Sequence, residues 1–224
     1  MIRLRHADEI WSDFPQLVPG VLYAENAQPS GDLERYWRIA AERLAAGPES
    51  ALPEIQAWRQ AFARMGLKPT QYRCAAESLL RRFRKEKALP SIHPLIDLGN
   101  AVSLAFAIPV AVFDADTIDG LLEVRYATGA EKYVAFSGDT EQPAPGEVIY
   151  ADEHGGAHAR RWTHRQSARS AVSATTRSVL IVAEALHDNA SADIPRLLAA
   201  LGDELPGAVN GVLSRDAPEF RTRP

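Results

Sequence analysis

The chain has 224 residues, 46% of them apolar, enough for one substantial domain with its own core. A net charge of −4 and a pI near 5.9 exclude a uniformly basic nucleic-acid binder and argue against a DNA partner, while leaving room for a local basic patch. One cysteine, Cys74, excludes a disulfide framework; Met1–Asp8 lacks the apolar core of a signal peptide and no run reaches the roughly 18 apolar residues of a membrane span, so a cytoplasmic protein with no membrane partner is expected.

Residues 1–30 read as the edge of the fold, with one strand around Val21–Ala24 after the Pro19-Gly20 break. Two helices follow. Asp32 is placed to cap the first, whose apolar residues Leu33, Trp37, Ala40, Ala41 and Leu44 recur at helical spacing until Gly47-Pro48. Ser50 is placed to cap the second, with Ile55, Trp58, Phe62 and Met65 on one face and Gly66 as the stop. The short link makes them an antiparallel pair, with Trp37 and Trp58 as packing residues.

A third helix is expected over Gln71–Glu86, with Ala75, Leu79, Leu80 and Phe83 on its apolar face. Glu77 and Arg81 have the spacing of an ion pair. The basic end, Arg81–Lys87, is either a solvated helix terminus or a contact for phosphates. Leu89–Ser103 then turns between two prolines and enters an apolar helix that carries Asp97 and Asn100 on one face. Those two polar groups, beside the loop with Ser91 and His93, either satisfy neighbouring backbone or line a pocket.

Strand signals dominate next: Val110–Phe113, Leu121–Ala127, Lys132–Phe136, Glu147–Ala151 and Ala157–Thr163. Their close spacing implies antiparallel hairpins or a small sandwich. Ser178–Ala185 is almost continuously apolar, as in a buried strand. A terminal helix spans 191–205, with Ile194, Leu197, Leu198 and Leu201 in one stripe, and the polar tail 215–224 is expected to fray.

The chemistry-bearing residues are few. His154, His158 and His164 lie near Asp152 and Glu153, yet their spacing matches no zinc motif, so no metal is expected. No cofactor is expected either, because Walker, Rossmann and GxSxG patterns are absent. Cys74 sits among cations, but no oriented base accompanies it. The run Trp162–Arg177 is rich in hydroxyl and guanidinium groups. It is either a capped loop or a set of donors for an anion or ester carbonyl.

Asp97-Leu98-Gly99-Asn100-Ala101-Val102 with Ile108-Pro109-Val110-Ala111-Val112-Phe113-Asp114 resembles the B3/B4 domain of the bacterial phenylalanyl-tRNA synthetase beta subunit. The likeness spans residues 73–186 and includes Leu122–Ala127, Gly146–Ile149 with Asp152, and Ser170–Thr176. The remainder is similar to free-standing B3/B4 proteins, which carry a helical N-terminal portion and a Trp-x-x-Arg-Gln-Ser run, here Trp162, Arg165, Gln166 and Ser167.

The resemblance implies an α+β fold in one domain over 1–224, with a helical portion at 31–88 and a sheet-rich B3/B4-like core at 89–205. It implies a pocket beside Asn100 and beneath the loop at Gln166 and Ser167, and hydrolysis of the ester of a mischarged tRNA. The family's asparagine matches Asn100, and the threonine before it becomes Gly99. The family's histidine falls on Ala111 and its pocket glutamate on Val182, with Glu184 two residues on. Its glycine-rich loop is replaced by His164–Ser167.

A trans-acting aminoacyl-tRNA deacylase is therefore expected, with charged tRNA as a transient partner. The alternative is a non-catalytic binding module for an amino acid, small ligand or tRNA end. Asn100, Arg165, Gln166 and Ser167 are the candidate catalytic residues. Asp97, Ser91, His93, Arg73, Glu77, His164, Thr176 and Glu184 are the candidate substrate contacts.

Overall fold

The computed structural model describes residues 1–29 and 32–222. Gly31, the first residue of the expected helical portion, and the last two residues of the tail lie outside that range. The described chain is α+β and holds two sheets.

The smaller sheet contains β2 (Val18–Glu25), β3 (Val110–Asp114), β10 (Ser178–Ala185) and β11 (Val209–Val212), in the order β11-β2-β10-β3, all antiparallel. The larger contains β1 (Arg3–His6), β4 (Leu121–Tyr126), β5 (Lys132–Val134), β6 (Thr140–Glu141), β7 (Val148–Ala151), β8 (Gly156–Arg160) and β12 (Glu219–Arg221) in the order β12-β1-β4-β7-β8-β5-β6. A two-residue strand, β9 (Arg165–Gln166), pairs with β8. The hairpins expected from strand spacing are present, but β1 with β4 and β5 with β8 are parallel, so the large sheet is mixed.

The helices are α1 (Asp8–Asp13), α2 (Glu34–Ala46), α3 (Pro53–Arg64), α4 (Ala75–Glu86), α5 (Pro94–Phe106) and α6 (Ala190–Glu204). Alternation along β10 explains how layers form. Val179, Ile181 and Ala183 share a core cluster with Leu98, Val102, Ile194 and Leu198 of α5 and α6. Leu180 and Val182 join the other cluster with Phe113, Leu122, Val124 and Tyr150. The small sheet is thus covered on one face by α5 and α6, and its other face meets the large sheet. Ile55, Trp58, Phe62, Leu80 and Phe83 bring α3 and α4 into that second cluster.

Gly99 lets α5 come this near. A Cβ there would meet Val112 Cγ2 of β3 at 2.7 Å, and a β-branched side chain has little freedom to yield.

Several local expectations change. Helix α3 starts after a 3-10 turn at Glu49–Ala51 with Pro53 as its first residue, so Ser50 is not its cap. Helix α4 starts at Ala75 behind Cys74, four residues after the expected Gln71, because the Cys74 side chain accepts the Glu77 N–H. Glu77 does not pair with Arg81: Arg59 and Arg73 take its carboxylate, and Arg81 reaches the buried Glu49.

Residues near both ends of the described range are structural. β1 lies inside the large sheet and not at its edge, and β12 pairs with it through Arg3–Arg221, Leu4–Phe220 and Arg5–Glu219. Phe220 is buried and the Thr222 hydroxyl accepts the Ile2 N–H, so residues 219–222 of the tail do not fray. The sheets therefore extend beyond the 89–205 expected of the core. Among the described residues no helix is long and apolar enough to cross a membrane.

Candidate functional site

Glu184 is the anomaly of β10. Its strand is apolar, and at the register of Leu180 and Val182 its side chain points between the two sheets, 1% exposed. A carboxylate there is costly unless its oxygens are satisfied, and three side chains supply them. His6 Nε2 of β1 lies 2.6 Å from one oxygen. The Tyr150 hydroxyl and the Trp162 indole N–H both donate to the other, the indole at 2.8 Å. The Trp58 indole donates to the Glu184 carbonyl at 3.2 Å, and the Trp58 and Trp162 rings meet edge to face with centroids 4.9 Å apart. Burial first, then the Glu184 charge, pushes the Tyr150 phenol well above its ordinary value.

Trp162 gets there through an unusual turn. Arg161 and Trp162 are consecutive residues with φ of 49° and 56°, a left-handed region that non-glycine residues seldom enter. Two bonds hold the turn: the Arg161 N–H donates to Glu147, and the Trp162 N–H to the Val148 carbonyl. The chain then leaves as Thr163-His164-Arg165-Gln166 along the rim of a cavity.

That cavity, about 60 Å³, lies between the sheets and is lined by Ala111, Val182 and Glu184 on one side and Thr163, His164, Arg165 and Gln166 on the other, with Tyr150 and Trp162 at its base. The Thr163 hydroxyl is buried with no hydrogen-bond partner. His164 Nδ1 lies 2.7 Å from the Arg73 carbonyl oxygen. A carbonyl only accepts, so Nδ1 carries the proton and Nε2 keeps a lone pair. Burial lowers the pKa of this imidazole; the hydrogen bond opposes that, and the charges of Arg161 and Arg165 lower it further. The ring is neutral at pH 7.

Gln166 is held by donation from its amide to the Val112 carbonyl at 2.8 Å. Arg165 lies over the Tyr133 ring, 5.4 Å from its centroid, with Glu141 3.6 Å away, and its side chain is 40% exposed at the mouth.

Other expected residues lie elsewhere. Asn100 and Asp97 line a separate open groove with Trp37 and Ser91, because α5 covers the far face of the small sheet. Asp97 accepts the Ser91 hydroxyl at 2.5 Å and the Ile92 N–H at 2.9 Å, and His93 Nδ1 accepts the Leu95 N–H as the cap of α5. These are the bonds of a helix entry. Ser167 is fully buried: its hydroxyl donates to the Val134 carbonyl and accepts the N–H groups of Val134 and Arg169. The Thr176 hydroxyl donates to Asp114 at 2.6 Å.

Arg73 meets the site only through its carbonyl, and Glu77 is held by Arg59 and Arg73. Burial pushes the Cys74 thiol up to about 12, which removes the thiolate a nucleophile needs.

His154 is exposed and His158 pairs with Asp152 at 3.0 Å, so the three clustered histidines do not converge. The residues that sequence reasoning left out are His6, Tyr150 and Thr163. Only Thr163, inside the hydroxyl-rich run, carried a local signal.

The fold and cavity define an α+β domain with a small polar hollow between two packed sheets. The B3/4 domain family model matches residues 57–198, and the chain belongs to that family. An 83-residue stretch is 32% identical to the phenylalanine–tRNA ligase beta subunit of Neisseria gonorrhoeae, covering 37% of this chain and 10% of that protein. Over 67 residues the chain is 39% identical to the corresponding subunit of Bradyrhizobium diazoefficiens, covering 30% of this chain and 8% of that one. The chain therefore spans about a tenth of the length of these relatives. Among solved structures, an N-terminal fragment of the phenylalanyl-tRNA synthetase beta subunit from Pyrococcus horikoshii aligns with a TM-score of 0.47 and 10% identity, over 100% of this chain and 55% of that one.

Proposed function

We propose that this domain acts in trans, in the cytoplasm, to hydrolyse the ester between an amino acid and a tRNA. The observation that supports the reading is a single one: Thr163, His164 and Arg165 are consecutive, and all three line the same hollow with complementary chemistry. His164 Nε2 takes a proton from the attacking water, since the ring is neutral and its other nitrogen is anchored. The unpartnered Thr163 hydroxyl donates to the carbonyl oxygen as it gains charge. Arg165 at the mouth meets the 3′-terminal phosphate.

The cavity volume of about 60 Å³ is under half of the roughly 150 Å³ that admits benzene. The amino acid is accordingly one with a small side chain, and a tyrosine ring requires Arg165 or Gln166 to move.

One observation favours the binding-module reading: Glu184, the one carboxylate in the lining, already holds three donors and offers no spare base. A panel of mischarged tRNAs, followed for ester loss, separates the two readings. Turnover is expected to be fastest with small amino acids and to fall at least about tenfold in Thr163→Val and about a hundredfold in His164→Gln, the usual scale for an oxyanion donor and a general base. Salt-sensitive tRNA binding without turnover favours the module. Turnover unaltered in both folded variants removes this hollow from the reaction.

A further inference from the structure

Glu54, His187 and Asp193 come from three parts of the chain and meet beyond the C-terminal end of β10. Glu54 is in the first turn of α3, Asp193 in the first turn of α6, and His187 in the connection between β10 and α6. One ligand-capable atom from each lies within 4.8 Å of the other two.

The bonds already made leave particular atoms over. Arg43 donates to Glu54 Oε1 at 2.6 Å, while Glu54 Oε2 is buried without a hydrogen-bond partner. His187 Nε2 lies 2.9 Å from Asp193 Oδ2, while His187 Nδ1 is buried without a partner. The Glu54 side chain is 9% exposed and that of His187 5%. Native structures rarely leave a buried carboxylate oxygen bare, and Glu54 Oε2 is such an oxygen.

We infer that these three residues form a binding site for a divalent transition ion, with His187 holding it through Nε2, the nitrogen beside Asp193 Oδ2. An imidazole with two carboxylates suits Zn²⁺, Mn²⁺ or Fe²⁺ better than Ca²⁺ or Mg²⁺, which take oxygen donors. The two carboxylates balance the charge of the ion. Arg43 on Glu54 and Arg196 on Asp193, the latter at 3.1 Å, hold the outward oxygens and so orient the inward ones. Metal–ligand bonds of about 2.0–2.2 Å place neighbouring donors roughly 3–4 Å apart, so binding draws the three residues only slightly closer.

The bound ion ties α3 and α6 to the end of β10. Glu184 lies three residues before His187, and Trp58 of α3 donates to its carbonyl. The ion therefore braces the wall of the inter-sheet hollow from outside, and its binding does not depend on the hydrolytic reading.

The test uses the untagged chain 1–224, stripped with a chelator. Titration with Co²⁺, read by visible absorption and calorimetry, is expected to saturate at one equivalent, and excess Zn²⁺ to raise the melting temperature by several degrees. Glu54→Gln and His187→Ala should each weaken Co²⁺ binding at least tenfold, whereas His154→Ala, at an exposed histidine, should leave it unchanged. If His187→Ala fails to fold by circular dichroism, the near-isosteric Glu54→Gln and Asp193→Asn carry the comparison. No saturable uptake, uptake that survives the carboxamide variants, uptake lost in His154→Ala, or Ca²⁺ and Mg²⁺ bound as tightly as Co²⁺ would each overturn the site.

Discussion

At the scale of single residues, Glu184 shows how one charged side chain organises its surroundings. It gathers His6, Tyr150 and Trp162 from strands and loops far apart in the chain. Removing one partner of a buried polar network strands the others, at a cost of about 3–5 kcal/mol. Glu184→Ala is expected to fall in that range by urea unfolding, and Glu184→Gln, which keeps the shape and an acceptor, to lose about 1–3 kcal/mol. A loss under about 1 kcal/mol in Glu184→Ala would show that the network adds no net stability. Glu184 itself was legible only through the family resemblance, two residues past the position of the family's pocket glutamate. Its donors were not, because nothing local in Arg3-Leu4-Arg5-His6 says which strand β1 will join. Asn100 and Asp97 share a helix face as expected, yet that face opens on another groove. Helical periodicity says which residues lie together, and not which side of a sheet the helix will cover.

At the scale of elements, the contact between α5 and β3 rests on Gly99. Gly99→Ala brings a Cβ to 2.7 Å from Val112, and overpacking of this kind costs roughly 1–3 kcal/mol. A thermal melt should register the loss, and Gly99→Ala combined with Val112→Ala should recover part of it. No recovery would mean that the strain lies in the α5 backbone and not in this contact. Element existence was largely readable: β10 occupies the expected Ser178–Ala185, and α2 stops at the expected Gly47. Helix starts were less so: Asp32 accepts the Glu34 N–H at the start of α2, but Ser50 looks like a cap where Pro53 is the first residue of α3, and Cys74 sets the first turn of α4. The strand β11 is Val-Asn-Gly-Val with three of its four residues exposed, and β12 is only three residues long, so neither shows an alternating apolar face.

At the scale of the whole molecule, two buried carboxylates brace the turns of the large sheet. Burial alone would raise the pKa of Glu131, but the Thr128 N–H and Arg125 outweigh it and hold it at about 2. Asp152 is likewise raised by burial and brought down to about 2 by His158, the Gly156 N–H and Arg169. Both values lie below those of the unfolded chain, 4.5 and 3.8. The unfolded state therefore binds more protons in this window, and stability falls as the pH drops. The contribution is complete above about pH 5 and is lost progressively toward pH 2, on the order of 2 kcal/mol for Asp152 by linkage. Urea midpoints measured from pH 6 to pH 2.5 should fall steeply, and the double variant Glu131→Gln, Asp152→Asn should flatten that slope. An unchanged slope would place the acid sensitivity elsewhere.

The position of β1 bears on assembly. Its neighbours are β4 and β12, the latter joined to it by contacts such as Arg3 with Glu219, 216 positions away. β1 is synthesised long before β12, so one flank of β1 stays unpaired until β12 has emerged. Closing so long a loop is entropically dear and slows the search for the native register. His6 rides on that strand, so the inner wall of the hollow acquires its final form only after β12 has been made.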